Sequence, residues 1–359
     1  MRAVGEAEIG HNAIPDDVLA VLRRGAVIPA HPLALTAERR LDECHQAALT
    51  RYYIDAGAGG LAVGVHSTQF TIRETGLYAP VLALAMDTAR AWAERPLAMI
   101  AGLVGGTGQA VDEARTARDL GYHAGLLSLA AFRGAPEDAI VDHCAAVAEV
   151  LPLVGFYLQP AVGGIHLPAS FWRRFAAIEN VVAIKVAPFD RYRTLDVVRG
   201  VVEARAEERV TLYTGNDDSI LLDLAAPFVL RRDDGYVTVR FRGGLLGHWN
   251  VWVRVAVTLL ARAHAAFDSG RIDTELLGLA AQITDCNAAL FDVANGFRGC
   301  IAGCHEVLYR QGLMRGTWCL DPDEGLSPGQ REEIDRVIAS YPHLTDDAFV
   351  TENLPRWLG

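Results

Sequence analysis

Between residues 26 and 225, short unbroken apolar runs alternate seven times with stretches of helical periodicity, and this alternation constrains the fold more than any other feature. The runs are Ala26–Pro29, Gly60–Gly64, Leu97–Ile100, Ala124–Leu129, Pro152–Tyr157, Val181–Val186 and Val210–Thr214. The helical stretches between and after them cover 36–56, about 73–94, 109–120, 136–150, 168–178, about 191–207 and 217–225. Strands apolar on both faces belong to a parallel sheet covered on both sides. Repeated βα units build either a doubly wound sheet or a closed barrel. No G-x-G-x-x-G opens a helix after the first run, so the barrel is the better reading. An eighth unit follows, with Gly243–Gly247 as the strand and 249–268 as the helix. A hairpin around Asp234-Gly235 precedes it and reads as an insertion near 228–241. The expected class is α/β: a (β/α)8 TIM barrel over 25–270, a leader over 1–24 with one helix at about 15–23, and a C-terminal helical extension over 271–359.

Composition removes several function classes. The formal net charge is −11 and no basic stripe is visible, which argues against nucleic-acid binding. The first residues lack an apolar signal core, and the apolar stretch 145–165 is broken by Glu149, Pro152 and Pro160, which argues against a membrane span. A cytoplasmic protein is expected. Six cysteines in a chain of 359 residues, four of them in the last 75, do not suggest a disulfide framework. Cys300, Cys304, His305 and Cys319 could hold a metal; the preferred reading is that they lie on a helix and pack as small apolar groups.

Of 33 basic residues, 32 are arginine, and the one lysine is Lys185, inside Val181-Val-Ala-Ile-Lys-Val186. An ammonium in an apolar strand is costly unless paired. Desolvation lowers its pKa, which arginine cannot match because guanidinium stays protonated. At an ordinary pKa, roughly one lysine in 2,000 is a free amine at pH 7; a drop of about 3 units makes that fraction large at a cost of about 4 kcal/mol. That is what a Schiff-base nucleophile needs, and a lysine snorkelling from a strand end is the competing reading. The other strand ends offer Val65-His66-Ser67-Thr68-Gln69, Tyr157, Gly215-Asn216-Asp217-Asp218 and His248. Tyr157 could relay protons or be a core aromatic. Ser67 and Thr68 could hold a carboxylate or form an ordinary turn, and His66 is a further candidate acid or base.

These segments resemble the dihydrodipicolinate synthase / N-acetylneuraminate lyase family. Gly25-Ala-Val-Ile-Pro-Ala-His-Pro-Leu is similar to its first strand and turn. The stretch from Ala58 to Phe70 lies where the family has Gly-Thr-Thr-Gly-Glu, and Gly155-Phe-Tyr-Leu-Gln-Pro160 resembles Tyr-Asn-x-Pro. Val182-Ala-Ile-Lys-Val is similar to the Schiff-base strand and follows the tyrosine at the family's 28-residue spacing; Tyr213-Thr-Gly-Asn-Asp-Asp is similar to the Gly-x-Asp turn. The resemblance implies that Lys185 is the imine lysine and Tyr157 the proton relay. It implies that Ser67 and Thr68, with His66 and Asp217, bind the 2-keto acid, and that the chain forms a homo-oligomer, a tetramer or a dimer. The pattern departs at Leu158, where the family has asparagine, and at Ala131-Phe132, where it has paired tyrosines. Val162 replaces an arginine for the second substrate's carboxylate, which implies a second substrate or leaving fragment without one there.

The expected function is therefore a Schiff-base-forming, aldolase-type lyase acting on pyruvate or a related 2-keto acid through Lys185, with no metal or organic cofactor. The alternatives are a 2-keto sugar-acid dehydratase on the same imine and a non-catalytic metabolite-binding barrel.

Overall fold

The structure, a computed structural model, describes residues 14–359. The first part of the expected leader lies outside the described residues. The described residues form ten strands: β1 (Val27–Pro29), β2 (Gly60–Val63), β3 (Ala98–Leu103), β4 (Ala124–Leu127), β5 (Leu153–Leu158), β6 (Val181–Ala187), β7 (Thr211–Thr214), β8 (Phe228–Arg232), β9 (Gly235–Val239) and β10 (Phe241–Leu246). The helices are α1 (Asp16–Arg24), α2 (Glu43–Ala56), α3 (Tyr78–Trp92), α4 (Thr107–Leu120), α5 (Glu137–Ala148), α6 (Ala169–Ala177), α7 (Arg191–Glu203), α8 (Ile220–Ala225), α9 (Val253–Ser269), α10 (Thr274–Leu290), α11 (Cys300–Arg310), α12 (Gln330–Ser340) and α13 (Asp347–Leu358). No described helix is long and apolar enough to cross a membrane.

Eight strands form one parallel sheet in the order β1-β10-β7-β6-β5-β4-β3-β2. The ends of the sheet meet through a parallel bridge between Ala30 and Ala62, a 2.8 Å bond from His31 N to Ala62 O, and a 3.0 Å bond from Gly59 N to Val27 O. The result is a TIM barrel, in which closure removes the edge strands that an open sheet would expose. Strand side chains alternate between two buried layers. Ile28, Ala62, Ile100, Leu126, Val154 and Leu245 fill the interior. Leu61, Met99, Leu127, Ile184 and Leu212 pack outward against the helices.

Local chemistry sets the helix boundaries. Asp42 caps α2 through a 3.2 Å bond from His45 N, so α2 starts later than the expected residue 36. The preceding segment instead turns through Leu35–Leu41, with Arg39 at positive φ. The helix expected from about 73 begins at Tyr78, because 66–68 and 70–73 form two 3₁₀ turns at the barrel mouth. The hairpin around Asp234-Gly235 is β8 paired antiparallel with β9, and it rests on α7.

α1 lies across one end of the barrel. Val18, Val21 and Leu22 join the interior cluster, and Tyr213, pointing inward from β7, donates a 2.8 Å bond to Leu22 O. At the opposite end, where the strands finish, Phe291 and Phe297, from the segment between α10 and α11, line a cleft with Lys185 and Asp217. Leu22→Ala should therefore destabilise the barrel by about 2–5 kcal/mol, read as a lower urea midpoint, because a buried leucine would be replaced by a cavity.

Candidate active site

The pairing of β5 with β6 determines what faces the cleft. Leu153 pairs with Val181 but Val154 pairs with Ala183, so β6 carries one extra residue, Val182. A one-residue slip turns every later side chain to the other face. Beyond the bulge, Ala183 and Ala187 share the interior cluster with Val154, Phe156 and Leu158, and Lys185 lies between them opposite Phe156. Tyr157 pairs with Val186 in the outer layer. Its hydroxyl accepts a 3.3 Å bond from Leu167 N, and its ring lies 5.3 Å from that of Trp172 on α6. The expected proton-relay tyrosine thus points away from Lys185, and this corrects the sequence reading.

The Lys185 side chain is only 7% exposed, and its Nζ sits 4.5 Å above the Phe156 ring. No hydrogen bond or ion pair to Nζ is found among the described residues. Gly215 makes room for its stem: a Cβ there would lie 2.8 Å from Lys185 Cε. Burial lowers the Lys185 pKa from 10.5 to about 8, with the nearby Asp217 charge opposing the shift. Asp217 is buried too. Desolvation raises its pKa to about 7, against the 2.8 Å bond that Oδ1 accepts from His248 N and the charge of Lys185. The Asp217 turn is fixed by Asn216, which accepts a 3.0 Å bond from Phe189 N and donates 3.0 Å and 2.9 Å bonds to Thr194 Oγ1 and Asp223 Oδ2.

His66 and Ser67 line the same cleft as Lys185 and Asp217. Burial and the Lys185 charge lower the His66 pKa to about 4, so its imidazole is neutral at pH 7. Ser67 Oγ accepts a 2.9 Å bond from Asn250 Nδ2, which leaves the hydroxyl proton available to a ligand. Thr68 is not part of the cleft lining. Its hydroxyl donates a 2.7 Å bond to His31 O and accepts from Gly64 N and Val65 N at 2.9 and 3.2 Å, so it holds the loop together. The structure therefore brings together Lys185, Asp217, His66 and Ser67, and excludes Tyr157 and Thr68.

The cleft spans about 620 Å³ including its mouth. Much of its wall comes from residues that sequence reasoning did not single out as site residues: Phe156, Phe189, Phe291 and Phe297, and the thiols Cys300 and Cys304. Phe189 and Phe297 meet edge to face at 6.0 Å. Burial pushes the Cys300 thiol up to about 12, so it is uncharged. Cys319 Sγ instead lies 4.0 Å from His305 Nδ1. Among the described residues, no three His, Cys, Asp or Glu side chains are grouped to hold a metal.

A family model for the dihydrodipicolinate synthetase family matches residues 24–340. The chain belongs to that family. Its members are class I aldolase-type lyases. The fold is shared with dihydrodipicolinate synthase from Acinetobacter baumannii (20% identity, TM-score 0.72, covering 89% of this chain and 99% of that one). It is shared equally with N-acetylneuraminate lyase from Fusobacterium nucleatum (16% identity, TM-score 0.70, covering 89% and 99%). A 4-hydroxy-tetrahydrodipicolinate synthase from Halorhodospira halophila is 28% identical over 125 residues, 33% of this chain and 40% of the relative. One from Methanothrix thermoacetophila is 32% identical over 121 residues, 33% and 39% of the respective chains. The matches thus span about 40% of the length of these curated relatives.

Within the family frame, a spacing count alone selects Tyr157, and the bulge at Val182 is what separates it from the lysine. The signal that could have found Phe156 is the aromatic pair Phe156-Tyr157, in which strand alternation allows only one ring to face inward. Tyr157→Phe should cost about 1 kcal/mol through the lost bond to Leu167 N, and the rate at which Lys185 reacts with a 2-keto acid should change by less than about twofold. A loss of reactivity as large as that of a catalytic deletion would show that the phenol reaches the cleft.

Proposed function

We propose that the protein is a Schiff-base-forming lyase of the aldolase type, acting on pyruvate or a related 2-keto acid through Lys185. The observation that carries this reading is the environment of Lys185: a buried amine with no hydrogen-bond partner among the described residues, resting on an aromatic face, at the C-terminal end of a barrel strand, with its pKa lowered. At pKa 8, about a tenth of the amine is free at pH 7, against less than a thousandth at 10.5. The Acinetobacter enzyme that shares the fold is described as complexed with pyruvate, which supports a keto acid of that size.

The lysine attacks the ketone carbon, and loss of water gives the imine. The protonated imine then accepts electrons from the adjacent carbon, so a C–C bond there can form or break. Proton transfers fall to the groups that line the cleft. Neutral His66 can take or return a proton. Asp217, whose pKa burial raises to about 7, can do the same from the wall of that cleft. The free hydroxyl proton of Ser67 suits the substrate carboxylate.

Incubation with pyruvate and borohydride should leave a stable adduct on Lys185, located by peptide mass. Lys185→Arg should abolish it while leaving the fold intact, because the guanidinium keeps the charge but has no free amine. Absence of any adduct with pyruvate and a panel of 2-keto acids, in folded protein, would sink the reading. The trapping rate should rise with pH through a midpoint near pH 8 and level off only above about pH 9, since the free amine is the reactive form. Asp217 raises the lysine pKa, so Asp217→Asn should move that midpoint below 8; a midpoint moved upward would contradict the charge coupling.

A further inference from the structure

The cleft carries more chemistry at the imine than it can offer to the rest of a substrate. Its polar side chains, apart from the two thiols, are Lys185, Asp217, His66, Ser67 and Gln159. The first four are accounted for by the imine, its proton transfers and the keto-acid carboxylate. What remains is one amide, Gln159, together with Phe156, Phe189, Phe291, Phe297, Leu158 and Val162. Cys300 and Cys304, kept as neutral thiols by burial, add to the apolar wall. Among the described residues, no arginine lines the cleft; Arg298 is exposed beside Phe297, and Arg191 is paired with Asp223.

The aromatic wall is built rather than incidental. Phe291 packs against Gly247, where a Cβ would meet its Cζ at 2.6 Å, so the ring occupies space that only glycine leaves open. Phe297 holds a positive φ of 70° and meets Phe189, itself at a φ of 51°, edge to face. Both rings are thus carried on left-handed backbone, a conformation uncommon for bulky residues and often found at functional positions. Phe291 and Phe297 come from the C-terminal extension and Phe189 from the loop after β6, so the slot is assembled from two parts of the chain.

Resting on the Schiff-base reading, we propose that the second reactant, or the fragment released in the reverse direction, is an aromatic aldehyde without a carboxylate or a chain of hydroxyls. A sugar-like fragment would bring several hydroxyls to a wall with one amide, leaving most unpaired. A carboxylate would find no guanidinium. An aryl ring is buried against phenylalanine faces and edges, which favour offset and edge-to-face contact. In the condensation direction, the enamine carbon of the Lys185–pyruvate adduct bonds to the aldehyde carbon. The carbonyl π pair moves to oxygen, which takes a proton. Water then releases a 4-hydroxy-2-keto acid bearing the aryl group and restores the amine. Cleavage is the same sequence reversed.

The test uses the full chain with pyruvate and, separately, benzaldehyde, glyceraldehyde and succinic semialdehyde, with aldol product measured by mass and rate. Borohydride trapping with pyruvate runs in parallel. The expected result is kcat/KM for benzaldehyde at least tenfold above that for either polar aldehyde. Phe297→Arg should lower the benzaldehyde value more than tenfold and raise that for succinic semialdehyde. Trapping on Lys185 combined with equal or greater activity on a polar aldehyde, or with no product from benzaldehyde, overturns the aromatic assignment and leaves the lyase reading standing. Failure of trapping with every keto acid overturns both.

Discussion

The site depends on the extra residue in β6. Ahead of Val182, Val181 faces the outer layer with Leu153; after it, Ala183, Lys185 and Ala187 face the interior. Without the bulge, strand alternation would carry Lys185 outward with Val181, into the packing between barrel and helices, where a lysine has no substrate to meet. The inward turn is stabilised by what surrounds it. Small residues, Ala183, Ala187 and Gly215, leave volume for a long side chain, and Phe156 offers its π face to the nitrogen. A cation–π contact at a desolvated position is worth on the order of 2 kcal/mol, comparable to the roughly 3 kcal/mol implied by moving the lysine from 10.5 to about 8. The ring offsets part of the desolvation of the amine without accepting its proton, as a carboxylate at ion-pair distance would, which is the environment the proposed nucleophile needs.

The same logic separates the other titratable groups. Lys185 and Asp217 share one buried space without touching within ion-pair distance, and desolvation pushes each toward its neutral form: the amine down, the carboxyl up. His66 is pushed down by the same burial and by the lysine charge. A buried cluster with displaced ionisation equilibria is suited to moving protons at neutral pH. The backbone makes this possible. The His248 amide holds one Asp217 oxygen, and the Asn216 side chain ties the loops after β6 and β7 together, so the groups do not collapse into a closed ion pair.

Much of the barrel could be read directly from the sequence, because continuous apolar runs and helical periodicity are local patterns that tertiary packing reinforces. Lys185 could be read from its isolation among arginines. The loop after β2 could be read only as a segment: His66 and Ser67 face the cleft, but Thr68, next in line, spends its hydroxyl on His31 O and two backbone amides. Tyr157 could not be placed by spacing, because a single inserted residue in a neighbouring strand changes which side chains face inward, and bulges leave no compositional mark. The aromatic wall was hidden for a different reason. Phe291 and Phe297 lie more than a hundred residues beyond Lys185, in a loop between helices, and only the tertiary path of the extension brings them over the barrel mouth.

That path also makes the extension part of the cleft that holds Lys185. The loop between α10 and α11 is held by side-chain bonds: Asp292 accepts bonds from Gly299 N at 3.1 Å and Ser327 Oγ at 2.5 Å, while Gln330 donates to the carbonyls of Ala289, Leu290 and Gly299. These bonds satisfy backbone groups that an ordered, irregular loop would otherwise leave unpaired. They fix the backbone on both sides of Phe291 and Phe297 while leaving the rings to face the cleft. A barrel supplies strand ends; here a helical extension completes the wall above them. On the proposed reading, the chemistry at Lys185 is set by the barrel, and the selection of what reacts there by a segment that folds onto it from outside.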